Sequence, residues 1–322
     1  MWLLVGAVAW GADPVGYWHP DDLAGLSGLY ASSSEQLQAP FGARNQELER
    51  AAAAIREYRV ALDLLGDRAP AAERARLEAL EAAHAENHAA TQRFAGQLVE
   101  DYDRAFTAAV ERAAAAVGVV AQCEGEIPLP SSGPRIPGSP RKTMPNPACV
   151  GRNLNADLAK AVDADSAANT AIGAIVARPW PALAPVAVEA QPVVGEGERW
   201  LRVVDVLRAG ARGALTALDR QDDDAREVVE AAMEQATTEA ELQALVPKVE
   251  AIEAETAAAR AALAAPILAV AEARMAKWKG EPTTAWCANP SALGGCSGAD
   301  AGVDVLAKLV ADKKVAAAFP AP

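Results

Sequence analysis

Between positions 48 and 65 the apolar residues Leu48, Ala51, Ile55, Tyr58, Leu62 and Leu65 alternate three and four residues apart. That spacing holds one stripe of an α-helix against a partner, and it is incompatible with the period of two that a half-buried strand requires. Gly66, Asp67 and Pro70 then supply a stop and a restart, since glycine suits the residue after a helix and proline the first turn of the next. A second helix can run from about Pro70 to Val120 without an internal proline, its stripe passing through Leu77, Leu80, His84, Asn87, Thr91, Phe94, Leu98, Ala105, Ala109 and Val117. So short a connection makes the pair an antiparallel hairpin. The first helix, beginning near Gly42, is about half as long as the second, so the part beyond Phe94 is expected to pack on the second half of the chain.

The expected fold class is all-α: elongated antiparallel helical hairpins or a bundle, in two repeated units that each carry a disulfide-bounded loop and a short following helix. Half of the 322 residues are hydrophobic but only 5% are aromatic. Much of the apolar surface is alanine, which forms helices well and contributes little buried area, so slender, close-packed helices are favoured over a thick core. The expected boundaries are a leader over 1–12, an irregular lead-in over 13–34, a first unit over 35–177, a proline-rich linker over 178–195 and a second unit over 196–322. A helix covers about Leu154 to Val176. In the second unit one long helix follows Trp200, Val204, Leu207, Ala211, Leu215, Leu218, Ala225, Val229 and Ala232. Thr238 and Glu241 form a capping-box signal for another, reaching about Lys279 with kinks at Pro247 and Pro266. A last helix spans about Ala301 to Ala316.

The two halves share an order of hairpin, cysteine-bounded loop and single helix. Cys149, Gly151, Asn153, Asp157, Leu158, Val162, Ala164 and Asp165 align without gaps on Cys296, Gly298, Asp300, Asp304, Val305, Leu309, Ala311 and Asp312. Glycine permits a turn, Asn or Asp caps the new helix, and the Leu and Val positions face inward. These matches suggest an internal repeat.

Trp2 to Trp10 is an apolar or small-residue run, followed by small residues suited to cleavage after Ala9, Gly11 or Ala12, with charge beginning at Asp13. This reads as a secretory signal lacking a basic residue at its start, and it is too short to span a bilayer. No other segment reads as a membrane span. Four cysteines in an exported chain imply two disulfides, here Cys123 with Cys149 and Cys287 with Cys296. No C-x-x-C pair exists and no histidine lies near a cysteine in sequence, which disfavours zinc and redox chemistry. The expected compartment is periplasmic or extracellular.

The formal net charge is −13, and from Gly195 onward 20 acids face 14 bases, so neither half suits a nucleic-acid backbone. His84 and His88 stand four apart on a helix, with Glu81 as a third candidate metal ligand, but Glu86 lies one position late for an H-E-x-x-H site. A polar layer in a helical seam, formed by His84, Asn87 and Thr91, explains the same residues. Asp222, Asp223 and Asp224 lack calcium-loop spacing and read as a solvated face. Gly295 to Ala299 only approaches a nucleophile elbow around Ser297, for want of a strand feeding the turn. Gly195 and Gly197 lack the context of a phosphate cradle. Arg135, Arg141 and Lys142 make a small basic patch in the first cysteine loop. Trp180, Trp200, Trp278 and Trp286 are expected to pack helix ends.

No catalytic, cofactor-binding or metal residue is therefore assigned and no cofactor is expected. The chain reads as a non-enzymatic extracytoplasmic interaction or scaffold protein, with protein partners and with homo-oligomer formation left open. The alternatives are a helical ligand-binding or chaperone-like protein with a groove lined by Phe94, Tyr102 and Phe106, and a metal-dependent enzyme using His84 and His88.

Overall fold

Helices dominate the structure, a computed structural model that describes residues 16–18, 20–118, 120–122, 126–128, 143–145, 152–186, 190–278 and 281–320. The expected leader, the Cys123–Cys149 pair and the basic patch at Arg135, Arg141 and Lys142 lie outside the described residues. The chain divides into two compact units, Met1–Gln46 with Ala89–Ala182, and Glu47–His88 with Leu183–Pro322. The division at 182 falls inside the proline-rich segment, while residues 47–88 group with the second half of the chain.

The described residues of the lead-in form strand and helix rather than an irregular stretch. Strand β1 (Gly16–Trp18) is followed by helices α1 (Pro20–Leu26), α2 (Gly28–Leu65) and, after a 3-10 turn, α3 (Ala71–Val117). Helix α2 starts well before Gly42 and continues through Pro40. Its start is fixed by Asp163, which accepts hydrogen bonds from the Gly28 and Leu29 amides at 3.0 Å and from the Ser27 hydroxyl at 2.7 Å. These otherwise orphan amides need such a partner, and it comes from 135 residues away, where no local pattern could announce it.

The first unit continues with β2 (Val120–Gln122), the antiparallel pair β3 (Glu126–Pro128) and β4 (Thr143–Pro145), and β5 (Arg152–Asn153). Strand β1 lies between β2 and β5, parallel to both, with Gly16 opposite Val120 and Arg152. A Cβ at Gly16 would lie 2.1 Å from the Arg152 carbonyl oxygen, so the close strand approach requires glycine. Instead of one helix there are two, α4 (Asn155–Asp163) and α5 (Ser166–Val176), divided at Asp165, whose side chain caps α5 through the Ala167 and Ala168 amides. The core brings Leu23, Leu98, Tyr102 and Phe106 against Leu158, Val162 and Ile172. Residues of α3 beyond Phe94 thus pack within the first unit, not on the second half of the chain as their length suggested.

In the second unit the stretch around Trp200 is a strand, not the start of a helix. Strand β6 (Arg199–Arg202) leads into α6 (Val203–Gly210), α7 (Arg212–Gln235), α8 (Glu239–Gln243) and α9 (Val246–Met275), then β7 (Thr284–Cys287), β8 (Ala299–Asp300), α10 (Gly302–Ala311) and α11 (Lys313–Ala316). Strand β6 is central and parallel to β7 and β8. Gly197 brings the chain against β7, where a Cβ would meet the Ala285 nitrogen at 2.6 Å, so this glycine serves strand approach. The Thr238 and Glu241 capping box is present. Pro247 sits in the first turn of α9, where its missing N–H costs nothing, rather than at a kink, and α9 continues through Pro266.

Cys287 and Cys296 are joined, and the adjacent loop is held by Asn289, whose buried amide donates to the Leu293 and Gly295 carbonyls. The core gathers Tyr58, Leu62 and Leu65 from α2 with Val203, Leu207, Ile267 and Leu268. The segment Glu239–Met275 contains a window of mean hydropathy 1.3, long and apolar enough to cross a membrane by length and composition. Within its unit Arg260, Ala264, Ile267, Leu268 and Ala271 are buried, and 28% of that window is buried in all.

Truncating the fully buried Leu207 to alanine is expected to lower unfolding free energy by about 2–5 kcal/mol, while Leu242→Ala, at a residue 42% exposed, should change it by no more than about 0.5 kcal/mol. Urea denaturation followed by circular dichroism measures both, and equal effects would contradict this core assignment.

Candidate functional site: a charged cavity in the second unit

Four helical segments of the second unit bring charged side chains together. Arg59 and Asp63 stand one turn apart on α2, Glu81 is on α3, Asp219, Asp222 and Arg226 are on α7, and Glu253, Thr256 and Arg260 are on α9. All but Asp219 line a cavity of about 210 Å³.

The buried Arg260 guanidinium is the hub, donating to Asp63 at 3.0 Å and to Asp219 at 2.9 Å, with Asp222 at 3.9 Å. Arg59 donates to Glu81 at 2.7 Å and to Glu253 at 2.5 Å. Arg226 joins Asp222 and Glu253, each at 3.2 Å, and the Thr256 hydroxyl donates to Asp222 at 3.1 Å. Three guanidinium groups thus face five carboxylates, a formal excess of two negative charges. Burial raises the Asp63 carboxyl above its ordinary range, and the hydrogen bond from Arg260 offsets this only in part. Burial also opposes the charge on Arg59, but hydrogen bonds to Glu253 and Glu81 outweigh it and hold its pKa above the usual value.

Every carboxylate in this set accepts from arginine, and the single hydroxyl of the lining is committed to Asp222. No histidine, cysteine or serine lines the cavity. A general base or activated nucleophile needs a poised proton acceptor beside a reactive group, and these residues are instead engaged in joining helices.

The residues singled out by sequence are distributed differently. Glu81 is held by Arg59. His84 is half-buried with its Nδ1 unpartnered, and His88 is exposed. Among the described residues no group of three or more His, Cys, Asp or Glu is gathered to hold a metal ion. Asn87 is buried on α3. Its side chain donates to the Ala184 carbonyl at 3.0 Å and accepts from the Ala184 amide at 2.8 Å, clamping the extended proline-rich segment.

Asp222 turns inward while Asp223 and Asp224 are exposed, so only part of that triplet is a solvated face. Strands do flank the Ser297 loop, but its hydroxyl donates to the Ala190 carbonyl at 3.2 Å. Tyr102 and Phe106 are buried and stack at 6.2 Å, and Phe94 meets Trp180 edge-on at 5.0 Å, so these rings fill a core instead of lining a groove. Trp286 is buried and donates to Glu272, while Lys308 lies 4.3 Å from the Trp278 ring centroid.

Arg59, Asp63, Arg226, Glu253 and Arg260 were not marked by sequence. The available signal was charge spaced one or two turns apart, at 59 and 63, at 222 and 226, and at 253 and 260, which is also the ordinary pattern of a solvated face. No family model matches the chain, and neither a curated protein nor a solved structure is significantly similar to it.

Replacing Arg260 with methionine leaves Asp63 buried without its cation, and a loss of about 3–5 kcal/mol in urea unfolding is expected. The double change Arg260→Met with Asp63→Leu should recover part of it, and a cost below about 1 kcal/mol for the single change would deny Arg260 its hub role. His84 supplies a pH test. Burial first, then His88 and Arg56, hold its pKa below the ordinary 6.5. The folded chain therefore binds this proton less readily than the unfolded chain. The stability contribution of neutral His84 is complete above pH 6.5 and declines as pH falls toward the depressed value. Unfolding free energy should fall between pH 7.5 and 5.5, and His84→Gln should flatten that slope.

Proposed function

We propose that the chain is an exported, non-enzymatic helical scaffold, built by tandem duplication of a hairpin unit, that presents helix surfaces to protein partners. The observation that carries this reading is the cavity itself. Each of its carboxylates is engaged by an arginine, and these pairs tie four helical segments together, which supports a framework role for the charges. The Cys287–Cys296 disulfide supports an oxidising compartment, in keeping with the apolar N-terminal run.

Support for duplication lies in register and capping together. Gly16 faces Val120 and Arg152 as Arg199 faces Thr284 and Ala299. The Leu154 amide donates to the Tyr17 carbonyl at 2.8 Å, and the Ala301 amide to the Trp200 carbonyl at 2.7 Å. The same offset of 147 residues that carries Arg152 to Ala299 carries Asp165 to Asp312. Each of these aspartates caps a short final helix, and each is bridged from a long helix, Asp165 by Arg112 at 2.7 Å and Asp312 by Arg274 at 2.6 Å. Alanine-rich sequence produces accidental identities, but it has no reason to reproduce a cap, its arginine and a parallel strand register together.

The test uses the full chain expressed in a host with a periplasm. N-terminal sequencing should find cleavage after Ala9, Gly11 or Ala12, alkylation should label Cys287 and Cys296 only after reduction, and cross-linking in intact cells should give discrete adducts with a second polypeptide. An uncleaved chain with reduced thiols overturns export. A processed, oxidised chain that yields no adduct overturns the scaffold role.

A further inference from the structure

The acidity of the second half is concentrated in one place. Residues 222–255 contain eleven acids against Arg226 and Lys248, an excess of nine negative charges in a chain whose total is −13. Arg226 is spent on the inner face, on Asp222 and Glu253. Asp223, Asp224, Glu227, Glu230 and Glu255 are exposed.

The same helix pair has a mixed outer seam. A depression of about 60 Å³ between α7 and α9 is lined by two apolar pairs, Leu218 and Ala225 from one helix and Ile252 and Ala259 from the other, with Gln221, Glu255 and Thr256 among them. The members of each pair are seven residues apart, two turns on one face, which is the spacing that receives the knobs of a further helix. All four are half-buried. Thr256 lies at the boundary, lining this depression and the charged cavity alike, so the seam and the ion pairs belong to two sides of one helix pair. Further along the hairpin Val228 is 71% exposed and Val246 48% exposed.

We infer that the outer seam of α7 and α9 is a docking surface for a basic amphipathic helix of a partner protein, whose apolar residues seat between Leu218, Ala225, Ile252 and Ala259 and whose Lys and Arg side chains meet the acidic flanks. Charge selects this occupant. A second copy would bring the same excess of nine negative charges, and nucleic acid or an anionic membrane would be repelled for the same reason. A cationic helix with a heptad-spaced apolar stripe satisfies both the seam and its rim. The inference deepens the scaffold reading and rests on it.

The test measures fluorescence anisotropy of the purified full chain with a labelled 18-residue Lys/Leu peptide whose leucines follow heptad spacing, against a peptide of equal composition with its leucines dispersed around the helix. The patterned peptide should bind about tenfold more tightly or better. Ile252→Glu decides between mechanisms: it adds negative charge, so a purely electrostatic association would tighten, whereas the seam predicts binding weakened by about tenfold. Ala225→Leu, which fills the depression and leaves charge unchanged, should weaken binding likewise, with circular dichroism confirming that both variants are folded. Equal binding of the two peptides, or tighter binding by Ile252→Glu, overturns the inference. To separate its failure from failure of the scaffold role, photo-cross-linking residues are placed at 252 and at the exposed position 99 in the exporting host. Adducts at 99 alone overturn the docking surface only, and adducts at neither overturn both. An adduct at 252 mapped to a basic amphipathic helix supports the inference, and one mapped to any other segment overturns it.

Discussion

Parallel strands cannot be joined by a tight turn, so once β1 and β6 sit at the centres of their sheets, everything between the strands has to be a crossover. Helices α1, α2 and α3 fill the interval between Trp18 and Val120, the turn end of the last two belonging to the second unit, and α6 to α9 fill the interval between Arg202 and Thr284. The outer strands β5 and β8 then deliver the chain to α4 and α10, whose buried faces, Leu158 and Val162 in one and Val305 and Leu309 in the other, close the cores. Strands of two to four residues contribute little buried area themselves. Their importance is that they fix where the ends of long helices meet the final short ones.

Helix ends are where the remaining polar chemistry is spent. Asp163, Asp165 and Asp312 each accept backbone amides at the start of a helix, and these hydrogen bonds, with Ser27, Arg112 and Arg274 respectively, hold each carboxyl below its ordinary range against the opposing effect of burial. An acidic chain would otherwise gain little from its carboxylates beyond solubility. Placed at caps, they satisfy donors that a helix cannot satisfy internally.

The helical class, the helix break at 66–70, the capping box at Thr238 and the helix starts near 155 and 302 were legible because each has a local signature: period, breaker residues or a cap. The sheets were not. Three residues such as Gly16, Tyr17 and Trp18 are too few to show alternation, and their partners lie more than a hundred residues away. Trp200 and Leu201 were absorbed into a helical stripe because Val204 and Leu207 continue it, and only the pairing of β6 with β7 and β8 tells the strand from the helix. The charged cavity was hidden for a related reason. Asp222 with Arg226 is indistinguishable by spacing from an exposed ion pair until the opposing helices supply Arg59, Asp63 and Glu81. Counting charge by halves likewise diluted the acidic hairpin, because the excess at 222–255 is partly cancelled by bases elsewhere in the second half.

The two sides of that hairpin depend on each other physically. An alanine-thin helix pair has few large side chains to set its spacing, and among α7 residues only Leu215 and Val229 are buried apolar side chains. The links from Arg226 to Glu253 and from Thr256 to Asp222, together with Arg260 bridging to Asp63 and Asp219, set that spacing from within. A seam held at fixed width before any partner arrives loses less conformational freedom on binding than one that must form around its ligand. The desolvation cost of burying Arg260 and Asp63 is difficult to justify as stability alone, since apolar replacements often serve as well. It is accounted for if the network's contribution is a rigid outer surface, with the buried charges fixing helix positions and the exposed ones selecting what binds there.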